Sequence, residues 1–84
     1  MKLLKFEATW CQPCKALKQN MSSLDLTDFE YEVFDVDEKP EMATQHKVRG
    51  VPTLIILDDA GNEIARRTGC PSTLQLRAWL DDYL

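Results

Sequence analysis

No run of apolar residues in this sequence approaches the ~18–20 needed to cross a bilayer as a helix. A basic excess is also missing: 10 Lys and Arg stand against 14 Asp and Glu, a net charge of −4. Nothing is there to neutralise phosphates in quantity, so nucleic acid is not expected as the main partner. The start, Met1 to Phe6, has only two consecutive apolar residues before its second lysine. A signal peptide does not fit that pattern, and the cytoplasm is the expected compartment. Cysteine is scarce and odd in number, three in all, which a purely structural disulfide framework does not favour. Histidine occurs once, at His46. Internal repeats and linkers are absent as well. With 84 residues, 44% hydrophobic and 29% charged, the expectation is one soluble domain over residues 1–84 with a small core and short loops.

What is there reads as alternating strands and helices. Lys2 to Ala8 alternates with a two-residue period, Leu4 and Phe6 on one face and Leu3 and Lys5 on the other. From Pro13 to about Met21 the period lengthens. Cys14, Leu17, Met21 and Leu24 recur at helical spacing, and Pro13 suits a first helical turn. Tyr31 to Val36 predicts a second strand, and Glu41 to His46 a short helix behind Pro40. Thr53 to Leu57 is apolar on both faces, as a strand covered from both sides must be. Asp58 to Asn62 reads as a hairpin loop returning through Glu63 to Thr68, an edge strand whose arginines would discourage pairing with other chains. Ser72-Thr73-Leu74-Gln75 matches a capping box for a last helix with Leu76, Trp79, Leu80 and Tyr83 on its apolar face. The order βαβαββα predicts an α/β fold, a four-stranded mixed sheet with helices on both faces.

The chemistry concentrates in Trp10-Cys11-Gln12-Pro13-Cys14-Lys15, where strand gives way to helix. A Cys-x-x-Cys beside a βαβ pattern points to dithiol–disulfide exchange. A thiolate is the nucleophile in that reaction, and free N–H groups at a helix start favour negative charge there. Cys11, in the loop, is expected to be exposed and to attack a target disulfide; Cys14, one turn in, is expected to be more buried and to resolve the mixed disulfide. Two blander readings compete. One is half of a zinc site, for which only Cys70 and His46 remain as further ligands. The other is an inert buried pair.

With the dithiol on that turn, Ala8 to Lys15 resembles the active-site stretch of the thioredoxin family, with Gln12 where glycine is usual. Val48-Arg49-Gly50-Val51-Pro52-Thr53-Leu54 is similar to the family's Gly-Ile/Val-Pro-Thr segment, and Asp35-Val36-Asp37 and Gly69 also fit. The resemblance runs from about Leu3 to Leu84, without the family's first strand and helix, so it implies a minimal version of that fold. It implies a cis bond before Pro52, which would lie against Cys11 and Cys14 and leave Val51 backbone groups free for a substrate segment. A trans proline opening the strand is the alternative. Trp10, Gly50, Val51, Pro52 and Gly69 would form a low apolar docking surface, while Gln12 and Pro13 tune thiol reactivity. The resemblance further implies a protein-disulfide reductase with no bound cofactor, taking electrons from NADPH through a thioredoxin reductase. Disulfide-bearing clients, among them ribonucleotide reductase, would be its partners, and it would act as a monomer in electron transport and cell redox homeostasis.

This chain departs from that pattern at Lys5, which falls where the family has a buried acid beneath the resolving cysteine. Val33 falls where the family's partner lysine sits. Glu7 shares the face of Lys5, so the two could pair. Lys5 then either favours a thiolate and shuttles a proton, or packs its stem and snorkels to water. Cys70 is implied to lie at the rim of the docking surface, oxidisable in one reading and a half-buried loop residue in the other. Three other functions compete: a glutathione-dependent, glutaredoxin-like reductase, a redox-independent binding subunit, and an oxidase. Thr68-Gly69-Cys70-Pro71-Ser72 lacks the Gly-Gly and acidic residues that glutaredoxins usually carry there, and an oxidase would be expected behind a signal peptide.

Overall fold

A computed structural model describes residues 1–84. Four strands and three helices alternate along it: β1 (Lys2–Glu7), α1 (Gln12–Met21), β2 (Glu30–Asp35), α2 (Pro40–Gln45), β3 (Thr53–Leu57), β4 (Glu63–Thr68) and α3 (Thr73–Asp81). The sheet order is β2-β1-β3-β4. β1 and β2 are parallel and joined through α1; β3 runs antiparallel to both β1 and β4. The ends of β1, α1, β2 and α2 differ from the sequence expectation by a residue, because end residues carry half of the ladder or helix bonding, while β3 and β4 fall where expected.

The two central strands are buried on both faces, since each face is covered. Leu3, Leu54 and Ile56 meet Leu17 and Met21 of α1 and Leu76 and Leu80 of α3 in one core. Leu4, Phe6, Ile55 and Leu57 form the opposite core, under Met42 and Ala43 of α2 and the following Val48 and Val51. Burying each such side chain fully stabilises the fold by roughly 1.5–3 kcal/mol relative to exposure. Helix placement follows local chemistry. In α3, Ser72 Oγ accepts the Gln75 N–H at 3.1 Å while Gln75 Oε1 accepts the Ser72 N–H at 2.9 Å. In α2 no side chain caps the start, and the left-handed Lys47 (φ 56°) follows its end. Arg66 reaches across from β4 to donate to the carbonyls of His46 and Lys47. Its guanidinium ties down the end of α2 and pairs with Glu63 at 2.8 Å. Arg66 thereby steadies the segment that leads into Val48–Pro52.

Candidate active site

Strand β1 ends at Glu7 and α1 begins at Gln12, so the four residues between them must turn the chain sharply at the sheet's edge of exit. Cys11 is the N-cap of α1, in extended conformation, with Pro13 in the first turn where no N–H is needed. Its Sγ accepts the Cys14 N–H at 3.1 Å, the position a capping oxygen ordinarily takes. Cys11 and Cys14 are joined as a disulfide with Cα atoms 5.2 Å apart.

Both cysteines are 4% exposed. The expectation of an exposed Cys11 above a more buried Cys14 is therefore corrected: burial does not distinguish them. The cause is a lid drawn from other segments, for Ala8 packs with the pair and Val36 and Val51 lean on it. What separates the two sulfurs is hydrogen bonding, since the helix-start N–H serves Cys11.

The Val51–Pro52 bond is cis. Pro52 is itself buried, and its carbonyl accepts the Gly69 N–H at 3.2 Å, which joins two of the segments expected to flank the dithiol. Thr53 Oγ1 donates to the Gly50 carbonyl at 2.7 Å and closes the same turn. Gly50 and Gly69 are exposed, Val51 is half-buried, and the backbone N–H and C=O of Val51 make no hydrogen bond within the chain. Trp10 is 67% exposed, its indole N–H held by Asp37 Oδ2 at 2.8 Å. Gln12 is exposed on the first turn of α1.

Lys5 does not snorkel. Its side chain is 3% exposed, and its Nζ lies 3.0 Å from Glu7 Oε1, whose own side chain is 33% exposed. The strand period puts both on one face, where Lys5 lines a cleft with Lys18 and Met21 of α1 and Tyr31 and Val33 of β2. Val33 stands opposite Lys5 in the register, apolar where a second charge would have competed for Glu7. Cys70 is exposed rather than half-buried, and Asn20 of α1 donates to the Pro71 carbonyl at 3.0 Å beside it. His46 belongs to no cluster with the cysteines; its ring lies 5.8 Å from that of Phe6, and no group of three or more His, Cys, Asp or Glu is gathered. Asp37, Val36 and Asn20 were not singled out as site residues. Their roles arise from contacts between segments far apart in sequence; only the Asp35-Val36-Asp37 run carried a signal.

The thioredoxin family model matches residues 1–82. The SPbeta prophage-derived thioredoxin-like protein YosR of Bacillus subtilis is 36% identical over 69 residues, covering 82% of each chain. The thioredoxin of Acidithiobacillus ferridurans is 35% identical over 85 residues, covering 98% of this chain and 78% of its own. Among solved structures, thioredoxin 1 of Thermosipho africanus superposes with a TM-score of 0.83 at 33% identity, over 99% of this chain and 93% of that one. A dithiol at a helix start, a cis proline nearby and these likenesses agree: the chain belongs to the thioredoxin family and is a thiol–disulfide oxidoreductase that reduces protein disulfides through its Cys11–Cys14 pair.

Proposed function

We propose that Cys11 is the attacking thiol and Cys14 the resolving one, in a reductase recharged from NADPH by a thioredoxin reductase. The observation that carries this reading is the Cys14 N–H directed at Cys11 Sγ at 3.1 Å. In the reduced protein that donor, with the helix dipole behind it, favours negative charge on Cys11 over Cys14. The client disulfide docks along Trp10, Gly50, Val51, Pro52 and Gly69. Support comes from the exposed indole and from the unpaired backbone groups of Val51, which suit an extended client segment. Gln12, beside the attacking sulfur, adjusts recognition. The protein works as a single-domain monomer in the cytoplasm, on disulfide-bearing clients of which ribonucleotide reductase is one candidate.

The reductant is the point to test. Insulin-disulfide reduction is followed with NADPH and thioredoxin reductase in one arm, and with glutathione, glutathione reductase and NADPH in the other. Turnover in the first arm is expected, and its loss in Cys11→Ser. Turnover confined to the glutathione arm would replace this reading with a glutaredoxin-like one.

A further inference from the structure

Resolution of a mixed disulfide requires a proton to leave Cys14, because the thiolate and not the thiol attacks. Cys14 is buried, and its own N–H is spent on Cys11. The helix start therefore does little to ionise it, and some neighbouring group must accept the proton. A cleft of about 270 Å³ opens beside Cys14, lined by Glu7, Ala8, Thr9, Cys14, Lys15 and Lys18. Glu7 is the one carboxylate in it. The next cleft along the sheet shares Glu7 and Lys18 and has Lys5, Tyr31 and Val33 on its walls. Glu7 thus stands between the resolving cysteine on one side and a buried ammonium on the other.

That ammonium gives the arrangement its meaning. A charged lysine 3% exposed is retained only with a partner, and the Glu7 carboxylate at 3.0 Å is the one it has. The pairing fixes one of the Glu7 oxygens while leaving the side chain a third exposed. Other groups around Glu7 are accounted for. Lys15 and Lys18 come from α1 and line the cleft. Asp35 of β2, opposite Glu7 in the register, has Oδ1 occupied by the N–H groups of Asp37 and Glu38. Tyr31 of β2 is pushed up to about 12 by burial and then by the Glu7 charge, so it stays neutral across the working range. On this face β3 and α3 present Leu54, Ile56, Leu76 and Leu80, none of which titrates.

We propose that Glu7 is the proton acceptor for Cys14, reached across the cleft they share, and that Lys5 is the positioning residue that holds its carboxylate. The proposal rests on Cys14 being the resolving thiol. With a client held on Cys11, the Cys14 thiol gives its proton through a cleft water to Glu7. The thiolate attacks Cys11 Sγ, the Cys11–Cys14 bond forms, the Cys11–client bond breaks, and the electron pair leaves on the client sulfur. Glu7 then releases the proton to solvent, from which the client thiolate takes one up. Over both exchanges the dithiol loses two electrons and two protons, and the client disulfide gains them.

The test is the rate at which a preformed Cys11 mixed disulfide resolves, followed by rapid mixing from pH 5 to pH 10. In the unsubstituted protein the rate is expected to depend only weakly on pH around neutrality, because the proton is taken below the range in which a free thiol ionises. Glu7→Gln is expected to be slower by about 10²-fold at neutral pH and to rise with pH. It should converge with the unsubstituted protein at alkaline pH, where a thiol of ordinary pKa about 8.5 ionises unaided. Lys5→Met is expected to slow resolution several-fold at neutral pH and less at alkaline pH, because the carboxylate is no longer held in place. Because Glu7→Gln leaves the lysine unpaired, Lys5→Met/Glu7→Gln repeats the measurement in a neutral, packable site and should behave as Glu7→Gln does. An unchanged profile in either Gln variant, or the same slowing at every pH, overturns the proposal. Failure of the underlying reading looks different: Cys14→Ser would then not trap a client on Cys11.

Discussion

Trp10 shows how single residues are set around the dithiol. An indole 67% exposed is free to rotate unless something holds it, and Asp37 Oδ2 does so through the ring N–H at 2.8 Å. Held this way, the ring offers a large apolar area to a partner with its ordering already done before binding. Asp37→Ala is expected to release it. The indole N–H should exchange several-fold faster with solvent, read by NMR, while client turnover falls through KM with kcat little changed. Lys5 illustrates the reverse relation of residue to surroundings. In sequence it reads as a blemish on an apolar strand, and two readings stood open. Only its burial in the folded chain, with Glu7 two positions on as partner, decides between them. Cys11 is a similar case: its loop position implied exposure, yet Val36 and Val51 cover it from segments 25 and 40 residues away, which no local pattern contains.

At the scale of elements, the helices differ in how firmly they are begun. Ser72 and Gln75 satisfy each other's backbone donors at the start of α3, and that box was legible as four consecutive letters. Ser72→Ala should cost about 1 kcal/mol of stability, and Ser72→Gly only a few tenths, both measurable by urea unfolding. α2 has no such start; it is fastened at its other end, where Arg66 of β4 takes the His46 and Lys47 carbonyls. That fastening was not legible, because a strand arginine gives no sign of which carbonyl it will meet 20 residues upstream. Strand β3 was legible for a simple reason: burial on two faces demands continuous apolar sequence, and Thr53–Leu57 has it.

For the whole molecule, both cores depend on the sheet order β2-β1-β3-β4, which places the two most buried strands at the centre and the cysteine turn at the end of one of them. Tyr31, on edge strand β2, reports on that assembly. Its phenol, on a residue still 38% exposed, is pushed from the ordinary 10 up to about 12, by partial burial first and the Glu7 charge second. A raised folded-state value favours the neutral phenol, so its contribution is fully present below pH 10 and is lost as pH rises from 10 to 12. Unfolding midpoints should therefore fall over that window, and fall less steeply in Tyr31→Phe. The opposite window belongs to Glu63, held below the ordinary carboxylate range by its hydrogen bond from Arg66. Its small, solvent-screened contribution is present at neutral pH and fades on acidification through that range.

The division of labour between the two sulfurs is tested most directly by mass mapping of a trapped intermediate. Reduced Cys14→Ser is mixed with a protein carrying one disulfide, and the adduct is digested under conditions that preserve disulfides. The client should be found on Cys11, with Cys70 unmodified, and no such adduct should form with Cys11→Ser. A client trapped on Cys70, or one that accumulates on Cys14 in Cys11→Ser and not on Cys11 in Cys14→Ser, would contradict the account.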